Sequence, residues 1–329
     1  MRFPTPSLSG FDAILNQPQE TTWDRLFSSP LTTIARILYN FFPVSFPIPP
    51  YTNNSDEAVT VVCVSDTHNT QPHLPPGDIL VHAGDLTASG TRVELQETLN
   101  WLNRQPHRHK VVIAGNHDLC LDGNLQDTRE DGDEEPDWGD VIYLDRTSVT
   151  LKIPISSLDK PRTREIRVYG SPCTPQHGNW AFQYPRSSPS DPWAGSVPEG
   201  TDILVTHAPP KGHMDDPRGH WGCELLLKEV WRVRPRLHVF GHVHCGHGVE
   251  VVPFDELQSA YEDVVFEEAK AVAAGGSGGL KALARVVKAW VGVWWRGGRR
   301  GKGQTILVNA ASIGGIRDRL IREAVVVRI

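Results

Sequence analysis

Thr60-Val61-Val62-Cys63-Val64-Ser65-Asp66-Thr67-His68 is the stretch that decides the reading of this chain. A Val-rich run predicts a strand buried on both faces, and it delivers Asp66 and His68 where such a strand emerges into a loop. A carboxylate and an imidazole two residues apart can face one metal. Asp-x-His also arises by chance, and a turn aspartate beside a surface histidine is the commoner outcome for that pair alone. Repetition changes the balance. Buried strands ending in ligand-type residues recur at Ile79–Ala83 before Gly84-Asp85 and at Val111–Ala114 before Gly115-Asn116-His117-Asp118. They recur again at Ile203–Thr206 before His207, and at Leu237–Phe240 before Gly241-His242-Val243-His244. The strands are expected to converge on one edge.

Length and composition limit what that convergence can mean. At 329 residues with 39% hydrophobic content the chain can bury a large core, and one large α/β domain is favoured over two smaller ones. A formal charge of −6 gives no global basic surface, which argues against nucleic-acid binding through a wide electrostatic footprint. The five cysteines, Cys63, Cys120, Cys173, Cys223 and Cys245, are odd in number and lack Cys-x-x-Cys spacing. Neither a disulfide framework nor a cysteine zinc knuckle is therefore expected, and a reducing compartment fits. No basic region followed by an apolar one opens the chain, so the expectation is a cytoplasmic protein without a secretory signal.

Residues 1–57 read as an N-terminal extension. Within it, Leu31, Ile34, Ala35, Leu38, Phe41 and Phe42 recur at helical spacing between Ser29-Pro30 and Pro43, which predicts a short amphipathic helix. A bilayer span needs about 20 apolar residues, and this stretch is too short. A helix strapped onto the domain is the preferred reading, with weak membrane-surface contact as the minority one. Pro43–Pro50 reads as an extended linker.

From residue 58 to 329 the chain reads as one domain. Thr91–Asn103 has helical periodicity through Val93, Leu95, Leu99 and Leu102, giving a β-α-β unit. The acidic stretch Arg129–Asp140 lacks EF-hand spacing and reads as a solvated loop. Further strands are expected at Val141–Leu144, Val149–Ile153, Glu165–Tyr169, Val249–Val252, Thr305–Asn309 and Ala324–Ile329, and a helix at Glu224–Val233. Residues 255–303 read as an insertion of two helices. Leu257, Ala260, Tyr261, Val264 and Val265 mark the first; Leu280, Leu283, Ala284, Val287, Trp290, Val291 and Trp294 mark one face of the second.

Taken together, the strand ends offer Asp66, His68, Asp85, Asn116, His207, His242 and His244. Seven donors are too many for one first-row ion and suit two; oxygen and nitrogen without thiolate point to Mn, Fe or Zn. Two ions about 3.5 to 4 Å apart can stabilise both the attacking and the leaving oxygen in displacement at phosphorus. His73, His82, His107, His109 and His238 read as core or loop histidines.

Asp66-Thr67-His68, Gly84-Asp85, Gly115-Asn116-His117-Asp118, His207 and Gly241-His242-Val243-His244, in this order, resemble the five motif blocks of the calcineurin-like metallophosphoesterase superfamily. Tyr169-Gly170-Ser171-Pro172, Trp180-Ala181-Phe182, His207-Ala208-Pro209-Pro210 with Gly222-Cys223, and Asn309-Ala310-Ala311-Ser312 are similar to metallophosphoesterase-domain-containing proteins akin to class III cyclic nucleotide phosphodiesterases. The resemblance implies a four-layer α/β/β/α sandwich of two mixed sheets. It implies Asp66, His68, Asp85 and His244 around one metal and Asp85, Asn116, His207 and His242 around the other, with Asp85 as the bridge. His117 would stand beside the metals and donate to a phosphoryl oxygen or leaving group. The implied activity is hydrolysis of a small phosphate ester, either a phosphodiester such as a cyclic nucleotide or a phosphomonoester, by a hydroxide bridging two metals. Gly84–Gly90 has no arginine and Asp118 follows Asn116-His117, which disfavours a phosphoprotein phosphatase. A non-catalytic scaffold on the same fold is the alternative. Nothing in the sequence sets an oligomeric state.

Overall fold

Each Val-rich strand presents one row of side chains to either face, so such strands need cover on both sides. The computed structural model describes residues 29–42, 58–128, 135–155, 162–186, 191–215, 221–273, 279–299, 303–314 and 320–329. The Pro-rich run at 43–50, residues 129–134 of the acidic loop, the glycine run at 274–278 and residues 300–302 lie outside them, as do residues 1–28. In chain order the elements begin with α1 (Pro30–Asn40), β1 (Thr60–Val64), β2 (Ile79–Ala83), α2 (Arg92–Asn103), β3 (His109–Ile113) and β4 (Val141–Tyr143). There follow β5 (Thr147–Ile155), β6 (Arg162–Ser171), β7 (Ile203–Thr206), α3 (Glu224–Val233), β8 (Leu237–Phe240) and β9 (Gly248–Pro253). The last of the longer elements are α4 (Glu256–Ala273), α5 (Leu280–Trp295), β10 (Gln304–Asn309) and β11 (Val325–Arg328).

Two mixed sheets result. The first runs β11-β1-β2-β3-β4, parallel except for β11. The second runs β9-β10-β8-β7-β6-β5, with β10, β8, β7 and β6 parallel and its two outer strands antiparallel. Inward rows from both sheets, including Val61, Val81, Val111, Ile166, Val205, Val239 and Val308, share one core. On the outer face of the first sheet, Val62, Leu80 and Val112 pack with Leu95, Leu99 and Leu102 of α2. On the other side Tyr169 and Leu204 pack with Leu226 and Val230 of α3. The order helix, sheet, sheet, helix is thus an α/β/β/α sandwich.

Local chemistry sets the helix ends. Thr91 Oγ1 accepts from the Glu94 backbone N–H while the Glu94 carboxylate accepts from that of Thr91, a reciprocal cap that starts α2. Cys223 Sγ accepts from the Leu226 backbone N–H at the start of α3, which ends at Arg234 in left-handed backbone before Pro235.

The third helical group is α1 with α4 and α5. Leu257, Ala260 and Val264 of α4 close on Ala282, Val286, Ala289 and Val293 of α5 and on Ala35 of α1. This departs from the apolar stripe read in the sequence. Leu280, Val287, Val291 and Trp294 are exposed, and so are Ile34 and Phe41 of α1 and Val93 of α2. Small residues form the α5 seam because they let the helices approach closely, which turns the bulkier neighbours outward.

Candidate metal centre

The loops that follow β1 and β2 are joined backbone to backbone. Asp66 N–H donates to Gly84 O at 2.9 Å, and Thr67 and His68 N–H both donate to Asp85 O at 3.1 and 3.2 Å. Asp66, His68, Asp85 and His242 all adopt left-handed backbone, with φ of +50, +42, +53 and +65°. Left-handed backbone is unfavourable for residues with a Cβ, though less so for Asp and His, and a cluster of such residues marks a site where geometry is held by its surroundings. Two glycines permit the convergence. A Cβ on Gly241 would collide with Asp66 Oδ2, and one on Gly115 would collide with Asp85 Oδ1 and stand 2.7 Å from His207 Cε1.

Onto this frame the structure brings all seven donors. His244 Nε2 stands 3.3 Å from Asp66 Oδ1; His68 Nε2 and His207 Nε2 stand 3.5 and 3.3 Å from the same Asp85 Oδ2. Asn116 Oδ1 lies 3.0 Å from His207 Nε2. Donor atoms of Asp66, His68 and His244 lie within 4.8 Å of one another, and so do those of Asp85, His207 and His242. A third group joins His68 and Asp85 to His117. Asp66, Asp85, Asn116 and His207 form a buried floor, and His68, His117, His242 and His244 a half-buried rim. Hydrogen bonds on the far side of the donors fix them. His207 Nδ1 donates to Ala83 O at 2.9 Å, which leaves Nε2 facing the cluster. Asp66 accepts the His242 backbone N–H on both oxygens, and Asp85 Oδ1 accepts that of His117.

Charge makes the cluster ready for a cation. Burial works against ionising Asp66, yet the hydrogen bond and charge of His244 hold it down at about 2. Asp85 is likewise buried and held well below the usual carboxylate range by His207 and His68. Burial disfavours a charged His207, but Asp85 and Asp66 overcome it and raise the ring to about 9. His242, where burial dominates, falls to about 3 and is neutral. The carboxylates therefore draw a proton onto His207 where a metal ion would supply the same charge. The residues fit such an ion: the donor set mixes oxygen with nitrogen, and the buried His68 Nε2 has no hydrogen-bond partner among the described residues.

His117 is held differently. Its Nδ1 donates to Ala88 O at 2.8 Å, its ring stacks on Trp180 with centroids 4.3 Å apart, and Nε2 is left without a hydrogen-bond partner among the described residues, beside His68 and Asp85. Trp180 meets the site through His117, while Tyr184 bonds Trp193 Nε1 and Cys223 Sγ and pins the loop. His177, unnoticed in the sequence because no motif surrounds it, packs edge-on against His242 at 4.6 Å. Asp118 is buried and accepts from the backbone of Gly115, Leu86 and Thr87 and from Thr87 Oγ1, tying the Gly-Asp loop to the Asn-His loop. Its place directly after Asn116-His117 was the available signal. His82 and His238, read as core histidines, bond Thr67 and Thr206 and are held to about 3 by burial.

A profile of the calcineurin-like phosphoesterase family matches residues 59–246. A protein of Emericella nidulans named probable rhamnogalacturonate lyase C is 43% identical over 325 residues, 97% of this chain and 28% of that protein. Most of the polypeptide bearing that name has no counterpart here. Human metallophosphoesterase domain-containing protein 1 is 38% identical over 211 residues, 57% of this chain and 61% of that protein. A UPF0046 protein of Caenorhabditis elegans is 31% identical over 236 residues, 64% of this chain and 82% of that protein. The chain thus spans under a third of the first of these relatives and about three fifths of the second. With the profile covering more than half of its length, the chain belongs to the calcineurin-like phosphoesterase family.

Proposed function

We propose that this protein is a dinuclear metal-dependent hydrolase of small phosphate esters, either phosphodiesters or phosphomonoesters. The observation that carries the reading is the convergence of two carboxylates, four imidazoles and one amide from five strand ends, with one oxygen of Asp85 standing 3.5 Å from His68 Nε2 and 3.3 Å from His207 Nε2. In this reading Asp66, His68, His244 and Asp85 hold one first-row ion, and Asp85, Asn116, His207 and His242 hold the other. Bound there, the ions supply a hydroxide nucleophile near neutral pH and positive charge for a phosphoryl oxygen.

The other steps belong to the chain. His207 and Asp66 are oriented through Ala83 O and the His242 N–H, so these donors face the ion sites without reorganising. His117, fixed through Nδ1, presents Nε2 to donate a hydrogen bond or a proton to the ester oxygen that leaves. Trp180 restricts the tilt of that ring and offers an aromatic edge to the organic part of the ester.

Hydrolysis of bis-p-nitrophenyl phosphate tests the reading. Protein stripped with a strong chelator should be inactive and regain turnover on adding Mn. Full turnover by metal-free protein would overturn the mechanism, and inactivity in every metal would return the chain to a binding role.

A further inference from the structure

A core-facing stripe accounts for only half of the apolar surface of α5. Ala282, Val286, Ala289 and Val293 are buried against α1 and α4. A second apolar row, Leu280, Ala284, Val287, Val291 and Trp294, recurs at helical spacing on the outward side, with Leu280 69% and Trp294 59% exposed and Trp295 beside it at 77%. On α1 the same division recurs, with Ala35 buried and Ile34, Ile37 and Phe41 exposed. The two helices run side by side in the same direction. Leu31 of α1 borders Gly279 at the start of α5, and Phe41 meets Trp290 with ring centroids 5.5 Å apart. A contiguous apolar row of this length on a globular protein marks something it meets.

Charge says what that is. Residues 280–302 carry seven cations, Lys281, Arg285, Lys288, Arg296, Arg299, Arg300 and Lys302, and no acidic residue, within a chain of net charge −6. Arg285, Arg296 and Arg299 are paired with Asp263, Glu256 and Asp255. Lys281 and Lys288 border the exposed row and pair with no acidic side chain among the described residues. Paired tryptophans at the end of a basic amphipathic helix suit the boundary between headgroups and acyl chains, because the indole has an apolar body and a polar N–H. No described helix is long and apolar enough to cross a membrane, so this one would lie on it.

We propose that α1 and α5 form a docking surface for an anionic lipid bilayer. The outer row of α5, with Trp294 and Trp295, enters the interface, Ile34, Ile37 and Phe41 extend the contact, and Lys281 and Lys288 meet anionic headgroups. A protein groove would match the apolar row equally well; the acid-free run of seven cations is what favours a lipid surface.

Sedimentation of the full chain with vesicles tests this, using phosphatidylcholine alone and phosphatidylcholine with phosphatidylserine. The expected result is binding to the phosphatidylserine vesicles, weakened by salt, with a blue shift of tryptophan emission. The charge-reversed pair Lys281→Glu with Lys288→Glu should weaken that binding by about 30-fold or more. The triple variant Val291→Ser, Trp294→Ser and Trp295→Ser should weaken it to either vesicle. Both variants should keep bis-p-nitrophenyl phosphate turnover, which shows that the body is folded. Wild-type protein that ignores both vesicles, or variants that bind as well as wild type, would overturn the proposal. A dimer dissolved by the triple variant without vesicle binding would assign the face to a second copy, and binding of an oligonucleotide alone would assign it to nucleic acid.

Discussion

At the scale of single residues, what the sequence displayed was donor identity, because each donor directly follows a Val- or Ile-rich strand. What it did not display was the support. Asp118 serves four donors from two loops, and burial with the neighbouring Asp85 charge pushes its carboxyl up to about 6 against their pull. Its place directly after Asn116-His117 marks the residue, but not the four donors it would serve, which come from Gly115 beside it and from Leu86 and Thr87 of a loop about thirty residues earlier. If Asp85 is shared by both ions, Asp85→Asn should lower metal content below two ions per chain and abolish most turnover; two ions and normal turnover would show the bridge to be misassigned. His117→Ala should separate chemistry from binding, with metal content near wild type and turnover reduced about 10²- to 10³-fold. Loss of one ion would instead make His117 a ligand. Trp180→Ala removes the ring that limits the tilt of His117, and a fall in kcat of about tenfold with little change in metal content is expected. Equal losses in His117→Ala with and without Trp180→Ala would confirm that the tryptophan acts through the histidine.

At the scale of elements, strands and helices were legible from their periods, since period 2 and period 3.6 are properties of the sequence. Which of two apolar rows of α5 would be buried was not legible, since that depends on how closely α1 and α4 approach. Nor was the fastening of α4 to the body. His213 lies between Glu250 of β9 and Glu262 of α4, with Nδ1 and Nε2 each 3.1 Å from a carboxylate oxygen. Glu262 also accepts from Trp231 Nε1 of α3 and from Gln258 Nε2 of α4, and His238 of β8 lies close enough to feel the charge on His213. Burial opposes a charged His213, but the two glutamates prevail and raise it well above an ordinary histidine. A raised folded-state value means the stabilisation is fully present below the unfolded value of about 6.5 and is lost as pH rises through the folded one. His213→Gln should therefore cost most at slightly acid pH. Breaking a buried pair costs about 3–5 kcal/mol, and the lower end applies because the Glu250 side chain is 36% exposed. Urea denaturation of both proteins from acid to alkaline pH reads this out: a stability gap that does not shrink as pH rises would remove the charged clamp.

At the scale of the whole molecule, the two sheets and the helical group have separate apolar cores, one spanning β1 to β11 and the other joining α1, α4 and α5. The junction between them has a simple geometry. Pro253 and Gln304 are register partners on antiparallel β9 and β10, so residues 254–303 leave and return at the same point of the sheet. A two-residue Asn-Gly turn can close such a pair, because its backbone matches the twist of the flanking strands. None of the seven donors lies between residues 254 and 303. Removing that segment alone would expose Ala35, Leu38 and Phe42 of α1, so residues 1–57 must go with it. The shortened protein should fold, bind metal with a rise in Tm that grows with Mn concentration, and hydrolyse bis-p-nitrophenyl phosphate. It should also be less stable than the parent, because His213 loses Glu262, and Lys211 and Gly212 lose the Phe266 ring they pack against. The site feels this loop indirectly, since Asn309 Nδ2 donates both to Met214 O and to Val243 O between His242 and His244. A modest rise in KM with metal content intact is the expected signature. A folded product that no longer raises its Tm with Mn would show that α4 supports the donors themselves, through His213, Met214 and Asn309.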